Sequence, residues 1–436
     1  MRKYAMVLCL ILAVVLLGGC TVKSVDELYS LPKRSEAFTN LQTEIDRVMS
    51  GLEYSAPISG EYQQTVQMAD LDGDGQDEYL LFAKGSTLHI FLFARNDDQY
   101  RLVDHIESAG SAFQQVEYVR IDDRGGMEIV VGRQLTDNMI RSLSVYTLRG
   151  GKLEEILKTT YTKFVCPDLD DDGGHELVLL QSAQSGTDNG FAELYDLRSG
   201  QLERIAQVNM SKPVENIKRI MISKLYEGNS AVYVASDAGN DGLITDVYAL
   251  VDGQFTNVTF SNETGTSIQT LRSYYVYAVD FDKDGVLELP DLIDVTLPEG
   301  AVQQESQYVI RWYNMRADGS EADKLYTYHN YSGGWYLQLR NDIAPNTVVI
   351  QRGNSYEFYV WNEQQTDAYK ILTLHVLTGA NREEQATINN RFVIHRTESV
   401  VYAAQLEVAS GAYGMSAEGL INNFHLIVQD WNSGLT

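Results

Sequence analysis

Three nine-residue stretches hold the side chains best suited to chemistry: Asp70-Leu71-Asp72-Gly73-Asp74-Gly75-Gln76-Asp77-Glu78, Asp168 to Glu176 and Asp280 to Glu288. Each places acids at positions 1, 3, 5 and 9 and a glycine at position 6. Oxygen ligands at alternate residues converge on one point only where the backbone curls tightly, and glycine at position 6 permits the positive φ that the curl needs. This is calcium chemistry. The predicted carboxylate ligands are Asp70, Asp72, Asp74 and Glu78, then Asp168, Asp170, Asp172 and Glu176, then Asp280, Asp282, Asp284 and Glu288. The backbone carbonyl at position 7 (Gln76, Gly174, Val286) adds a further ligand, for up to three structural Ca2+ ions.

An EF-hand loop would carry a bidentate Glu at position 12 between two helices, but position 12 of the first loop is Leu81. The flanks Gln64–Ala69 and Tyr79–Ala83 are rich in β-branched and aromatic residues, so the loop joins strand to strand. With position 9 as the last acid and strands on both sides, the loops resemble those of the FG-GAP and VCBS-like repeats that build integrin-type β-propellers.

Two further copies appear in the same frame. Aligned on Gly75, the equivalent residues are Gly125, Gly173, Asn229 and Gly285, at steps of 50, 48, 56 and 56 residues. A period near fifty with several short strands per unit is the signature of propeller blades. In the second copy, Arg120 to Glu128, arginines hold positions 1 and 5; in the fourth, Lys224 to Val232, no ligand pattern survives. Blade one reads as strands at Gln64–Leu71, Tyr79–Ala83, Thr87–Ala94 and Tyr100–Ile106, and hairpins with turns at Arg149-Gly150-Gly151, Ser199-Gly200 and Asp252-Gly253 repeat the pattern.

The chain begins with Arg2 and Lys3, an apolar stretch to Leu17, and Leu17-Gly18-Gly19-Cys20. That pattern predicts a secretory signal over residues 1–19. It resembles a bacterial lipobox, which implies lipidation of Cys20, a tether over residues 20–33 and attachment to the outer face of the cytoplasmic membrane. Loss of Arg2 and Lys3 from 34 basic residues leaves 32 against 60 acidic ones, a net charge of −28. Such a chain repels nucleic acid and anionic membrane surfaces. With Cys9 removed and Cys20 lipidated, Cys166 alone is left, so no internal disulfide forms; its apolar surroundings predict a buried, inert thiol.

A helix is expected within residues 34–51, capped by Ser35, with Phe38, Leu41, Ile45 and Val48 on one stripe that docks on the propeller. Blades occupy residues 52–330. Past them, Trp335–Arg340, Thr347–Gln351, Tyr356–Trp361 and Lys370–Leu377 form a sixth blade. Phe392–His395 and Val400–Glu407 are left for a seventh, completed by an N-terminal strand near Tyr54–Ile58. A separate α+β domain over residues 331–436 competes with that assignment. Ser416–Trp431 is expected as a closing helix, capped by Ser416, with Leu420, Phe424, Ile427, Val428 and Trp431 on one face.

The fold class is therefore all-β, a propeller of four-stranded blades. The seven histidines are scattered, His175 is expected at the surface, and the sequence has no nucleophile elbow, phosphate loop or dinucleotide fingerprint. Trp312-Tyr313, Trp335-Tyr336 and Trp361 are expected to fill blade interfaces rather than stack on sugars. The expected role is a membrane-anchored, calcium-stabilised module that binds an envelope protein or glycan without catalysis. The competing role is a glycan-active lyase or hydrolase, since some polysaccharide lyases use calcium-loop propellers. Taken whole, the chain resembles FG-GAP/VCBS-like lipoproteins of Clostridia-type bacteria.

Overall fold

The computed structural model describes residues 36–427 apart from 97–98, 123, 136–139, 184–188, 241, 294–306, 363 and 365. The signal, Cys20 and the tether lie outside the described residues. Helix α1 (Glu36–Val48) matches the expected stripe: Leu41 and Ile45 are buried and Val48 packs with them on the first sheet, while Phe38 meets Tyr79 edge-on at 6.4 Å. Burying two such aliphatic side chains stabilises the docked helix by about 1.5–3 kcal/mol each.

Among the described residues six antiparallel sheets follow along the chain. The first holds β1 (Glu53–Tyr54), β2 (Val66–Ala69), β3 (Glu78–Lys84), β4 (Leu88–Asn96) and β5 (Gln99–Ser108). The second holds β6 (Ala112–Val119), β7 (Glu128–Gln134), β8 (Arg141–Arg149) and β9 (Lys152–Tyr161). The third holds β10 (Lys163–Val165), β11 (Leu177–Gln181), β12 (Phe191–Arg198) and β13 (Gln201–Asn209). The fourth holds β14 (Ile217–Lys224), β15 (Ser230–Gly239), β16 (Gly242–Val251) and β17 (Gln254–Asn257). The fifth holds β18 (Leu289–Leu292), β19 (Gln307–Met315), β20 (Glu321–Asn330) and β21 (Trp335–Leu339), with Val279 bridged to Glu288 where the other blades have an inner strand. The sixth holds β22 (Thr347–Arg352), β23 (Ser355–Trp361), β24 (Ala368–Thr378), β25 (Phe392–Arg396) and β26 (Val400–Leu406).

Alternating side chains send one face of each sheet to the preceding sheet and the other to the next. Ile129 and Val131 of β7 join a core with Leu80 and Phe82 of β3, while Val130 between them joins Leu177 and Leu179 of β11. Val178 and Leu180 then meet Val232 and Val234 of β15, and Ala231 and Tyr233 meet Tyr313 and Met315 of β19. The last shared core joins Tyr328, Trp335 and Leu337 of the fifth sheet to Phe358, Leu372 and Leu374 of the sixth. The sheets are thus stacked as blades of a β-propeller, with α1 covering the free face of the first.

The C-terminal third departs from expectation in three places. Trp335–Arg340 does not open a sixth blade: β21 pairs with β20 and stays in the fifth sheet. Phe392–His395 and Val400–Glu407 do not begin a seventh, because β26 pairs with β24 and β25 with β26. The N-terminal segment is equally unavailable, since Glu53 and Tyr54 pair with Lys84 and Ala83, and Ile58 donates to the Phe113 carbonyl. The closing helix is shorter than expected. Ser416 caps α3 (Ala417–Asn423), which follows the short α2 (Arg382–Gln385), but Phe424–Leu426 leave the helix as β27 and pair with Trp335–Leu337. Ladder bonds and the stacking of Phe424 on Trp335 outweigh one more helical turn. Val428 and Trp431 lie outside the described residues. Trp312, Tyr313 and Trp335 are fully buried, as expected of interface fillers.

One irregularity recurs. The fourth strand of blades one, two, three and five carries one extra residue opposite the same point of the third strand: Val103, Ile156, Ile205 and Lys324. Such a bulge bends the strand and re-aims that side chain.

Candidate metal centre

Each acidic loop joins the first and second strands of its blade. The position-6 glycines have the expected left-handed backbone, with φ of 85° at Gly75, 90° at Gly125, 89° at Gly173 and 87° at Gly285. Position 4 is left-handed too, at Gly73, Asp171, Glu227 and Lys283, a feature the sequence reading missed. The apolar residue at position 2 anchors the loop in the core: Leu71 and Leu169 are buried, and so is Leu225 in the degenerate fourth copy.

The curl brings positions 1, 3 and 9 together. One carboxylate oxygen from each of Asp70, Asp72 and Glu78 lies within 4.8 Å of the others, and the same holds for Asp168, Asp170 and Glu176 and for Asp280, Asp282 and Glu288. Position 5 does something else as well. Asp74, Asp172 and Asp284 accept hydrogen bonds from the position-7 amides of Gln76, Gly174 and Val286, at 2.7, 2.7 and 2.9 Å. These short turns hold the position-7 residues, whose carbonyls are the remaining expected ligands, beside the cluster's own loop.

Glu at position 9 also has a duty that the sequence reading did not foresee. Its Oε2 accepts the position-2 amide in all four loops that have it: Leu71 to Glu78 at 2.9 Å, Ile121 to Glu128 at 2.8 Å, Leu169 to Glu176 at 2.7 Å and Phe281 to Glu288 at 2.9 Å. The loop is buckled shut with or without metal ligands elsewhere in it. Neighbouring loops are also joined, since the Met127 amide donates to the Asp70 carbonyl at 3.0 Å and the His175 amide to the Arg120 carbonyl at 2.7 Å. His175 is half-buried rather than exposed.

Gathering three carboxylates has an electrostatic cost. Two like charges 4–5 Å apart repel by about 1 kcal/mol in water and about 4 kcal/mol at an effective dielectric constant near 20. Burial, with the neighbouring aspartates adding to it, pushes Glu78 and Glu176 up to about 7. A divalent cation with oxygen ligands would relieve that repulsion, and the donor set fits Ca2+ by chemistry and number.

The second loop shows the same geometry with its cation supplied by the chain. The guanidinium of Arg124, at position 5, bonds Asp122 at position 3 through Nη2 and Nε, donates to Thr147 Oγ1 at 2.8 Å, and lies 3.8 Å from Glu128 Oε1 at position 9. Burial works to raise Asp122, but the bonds from Arg124 outweigh it and hold that carboxyl below its usual range.

Among the described residues the histidines meet hydroxyl side chains: His375 Nδ1 lies 2.8 Å from Ser355 Oγ, His329 Nδ1 2.9 Å from Thr327 Oγ1 and His89 Nε2 3.1 Å from Thr87 Oγ1. His89 and His105 bond each other at 2.9 Å, while His329 and His375 are buried, where desolvation pushes them down to about 3 and about 4. Burial raises the Cys166 thiol well above its usual range, as expected of an inert group.

No family model matches the chain, and no curated protein sequence matches it. Among solved structures it is similar to a protein from Lactobacillus plantarum, at 10% identity over 72% of this chain and 85% of that one, with a TM-score of 0.28. It is also similar to the exotype rhamnogalacturonan lyase YesX, at 11% identity over 72% of this chain and 71% of that one, with a TM-score of 0.28. The blade architecture rests on the strand pairing and shared cores described above, and not on these scores.

Proposed function

We propose that this chain is an exported lipoprotein, held on the outer face of the cytoplasmic membrane through Cys20, whose calcium-stiffened propeller binds an envelope protein or glycan. The observation that carries the calcium part is the repeated convergence of positions 1, 3 and 9 in blades one, three and five. Asp70, Asp72 and Glu78, Asp168, Asp170 and Glu176, and Asp280, Asp282 and Glu288 are the candidate ion ligands, with Asp74, Asp172, Asp284 and the carbonyls of Gln76, Gly174 and Val286 available to complete the shell. Where bound, the ion supplies positive charge at the centre of the loop and does no catalysis.

The anchor follows from Leu17-Gly18-Gly19-Cys20, and no helix among the described residues is long and apolar enough to cross a membrane. A tethered stack of blades offers a broad surface at a fixed height and needs no catalytic group to capture a neighbour. Fractionation of cells expressing Cys20→Ala tests the anchor: the variant appears in the medium or stays uncleaved, and retention of a processed form in the membrane would overturn it. Glycan arrays probed with and without Ca2+ test the role. Binding without turnover supports a binding module, whereas turnover of a polysaccharide would move the assignment to a glycan-active enzyme.

A further inference from the structure

We infer that the fifth loop carries its own cation, the ammonium of Lys324, so that the chain takes up two Ca2+ ions, at the first and third loops, and not three. The inference rests on reading the acidic loops as calcium sites and says which of them are open.

Lys324 Nζ lies 2.7 Å from Asp282 Oδ2 and 2.8 Å from Asp284 Oδ2, at positions 3 and 5 of the loop. It reaches them because it is the extra residue of the recurrent bulge. In the same register blades one and three have Val103 and Ile205, which carry no charge. Ile205 lines an open cleft of about 420 Å³ together with Asp170 and Glu176, so the bulge position does face the acidic loop of its own blade. Replacing an aliphatic side chain there by lysine puts a cation on the loop.

The position-9 glutamate gives a second, separate sign. Both oxygens of Glu288 are taken by protein donors, Oε2 by the Phe281 amide and Oε1 by Asn314 Nδ2 at 2.8 Å. Glu128 of the arginine-filled second loop likewise accepts on both oxygens, Oε2 from the Ile121 amide and Oε1 from Thr147 Oγ1 at 2.9 Å. At Glu78 and Glu176 only Oε2 accepts a hydrogen bond among the described residues, which leaves Oε1 for a metal. Loops two and five thus share a built-in cation and a glutamate with protein donors on both oxygens; loops one and three share neither. In loop three the nearby Lys224 bonds Asp171, at position 4, which is not a member of the cluster.

A divalent ion entering the fifth loop would have to displace an ammonium held by two carboxylates and strip Asn314 from Glu288. At the first and third loops no lysine or arginine among the described residues forms an ion pair with the acids at positions 1, 3, 5 and 9. Charge-assisted contacts of this kind compete directly with a weak calcium site.

Equilibrium dialysis of the full-length chain in detergent against radioactive calcium, up to about 10 mM, covers the affinities of extracellular calcium modules. The expected count is two ions per chain for the wild type, three for Lys324→Ile and one for Ile205→Lys. Asp282→Asn should leave the wild-type count unchanged. A wild type that binds three ions, or an Asp282→Asn chain that binds one fewer than the wild type, overturns the inference and keeps the calcium reading. A wild type that binds none overturns the calcium reading itself. A folded Lys324→Ile chain that still binds two would show that the lysine is not what closes the fifth loop.

Discussion

The second loop and the first are built on the same curl, with the same left-handed glycine and the same glutamate buckle, yet one is filled by Arg124 and the other only by carboxylates. In the second, a guanidinium carried by a residue of the loop itself sits between Asp122 and Glu128 at no cost in ligand concentration. In the first, Asp70, Asp72 and Glu78 face one another without a countercharge from the described residues. The fold of this loop therefore needs a positive charge at its centre more than it needs a metal, and the chain meets that need by two routes. The consequence is a rim in which the loops proposed to bind calcium are hydrogen-bonded to the arginine-filled one, through Met127 to Asp70 and His175 to Arg120.

Removing the built-in cation should have the largest effect. Arg124→Met leaves Asp122 without its partner and Glu128, only 3% exposed, without the nearby countercharge. Breaking a buried pair costs about 3–5 kcal/mol, and the half-exposed arginine brings the expectation to the low end, about 3 kcal/mol in urea unfolding, unchanged by Ca2+. A loss that calcium restores would show that the second loop can also take metal and would erase the contrast.

Chelation comes next. With a Kd of about 0.2 mM, inside the range of extracellular modules, about 1 mM Ca2+ stabilises each open site by about 1 kcal/mol, so a chelator should lower stability by about 2 kcal/mol in total. Calorimetric melting with chelator and with calcium restored measures it, and an unchanged melting temperature would contradict the first and third sites together.

Single-site variants divide that response. Asp72→Ala and Asp170→Ala should each remove about half of it, about 1 kcal/mol, while Asp282→Ala should leave it whole. Equal thirds from the three variants would mean that Lys324 does not set the fifth loop apart.

A last variant checks that the rim is separable from the core. His329 sits in the core of blade five, where its Nδ1 is paired with Thr327 Oγ1 at 2.9 Å and desolvation pushes it down to about 3. The unfolded chain takes up a proton near pH 6.5 that the folded chain refuses. Stability is therefore full above that pH and falls on acidification from about 6.5 toward 3, by at most about 1.4 kcal/mol per pH unit and less than that over the first unit. His329→Gln should flatten this slope equally in calcium and in chelator; a slope that depends on calcium would tie the histidine to the loops.

Much of this architecture is legible in the chain. The nine-residue frames, their spacing near fifty and the hairpin turns at Gly150-Gly151, Ser199-Gly200 and Asp252-Gly253 identify the first five blades, and four of the strands in blade one lie within two residues of their expected ends. The C-terminal third was harder because its strands lack acidic loops to set the frame. There Trp335–Leu339 and Phe424–Leu426 found partners by shape and stacking, not by local pattern.

What the sequence determined by itself is the loop: aspartates at odd positions, an apolar anchor at position 2 and glycine at position 6 dictate a curl within nine residues, because turn propensity and φ > 0 are local properties. What only the tertiary structure decided is which cation, if any, belongs at the centre of each curl. Thr147 reaches Glu128 from 19 residues away, Asn314 reaches Glu288 from 26, and Lys324 reaches Asp284 from 40. Those meetings depend on strand register and on a one-residue bulge, and register is set by the packing of whole sheets rather than by any neighbouring residue.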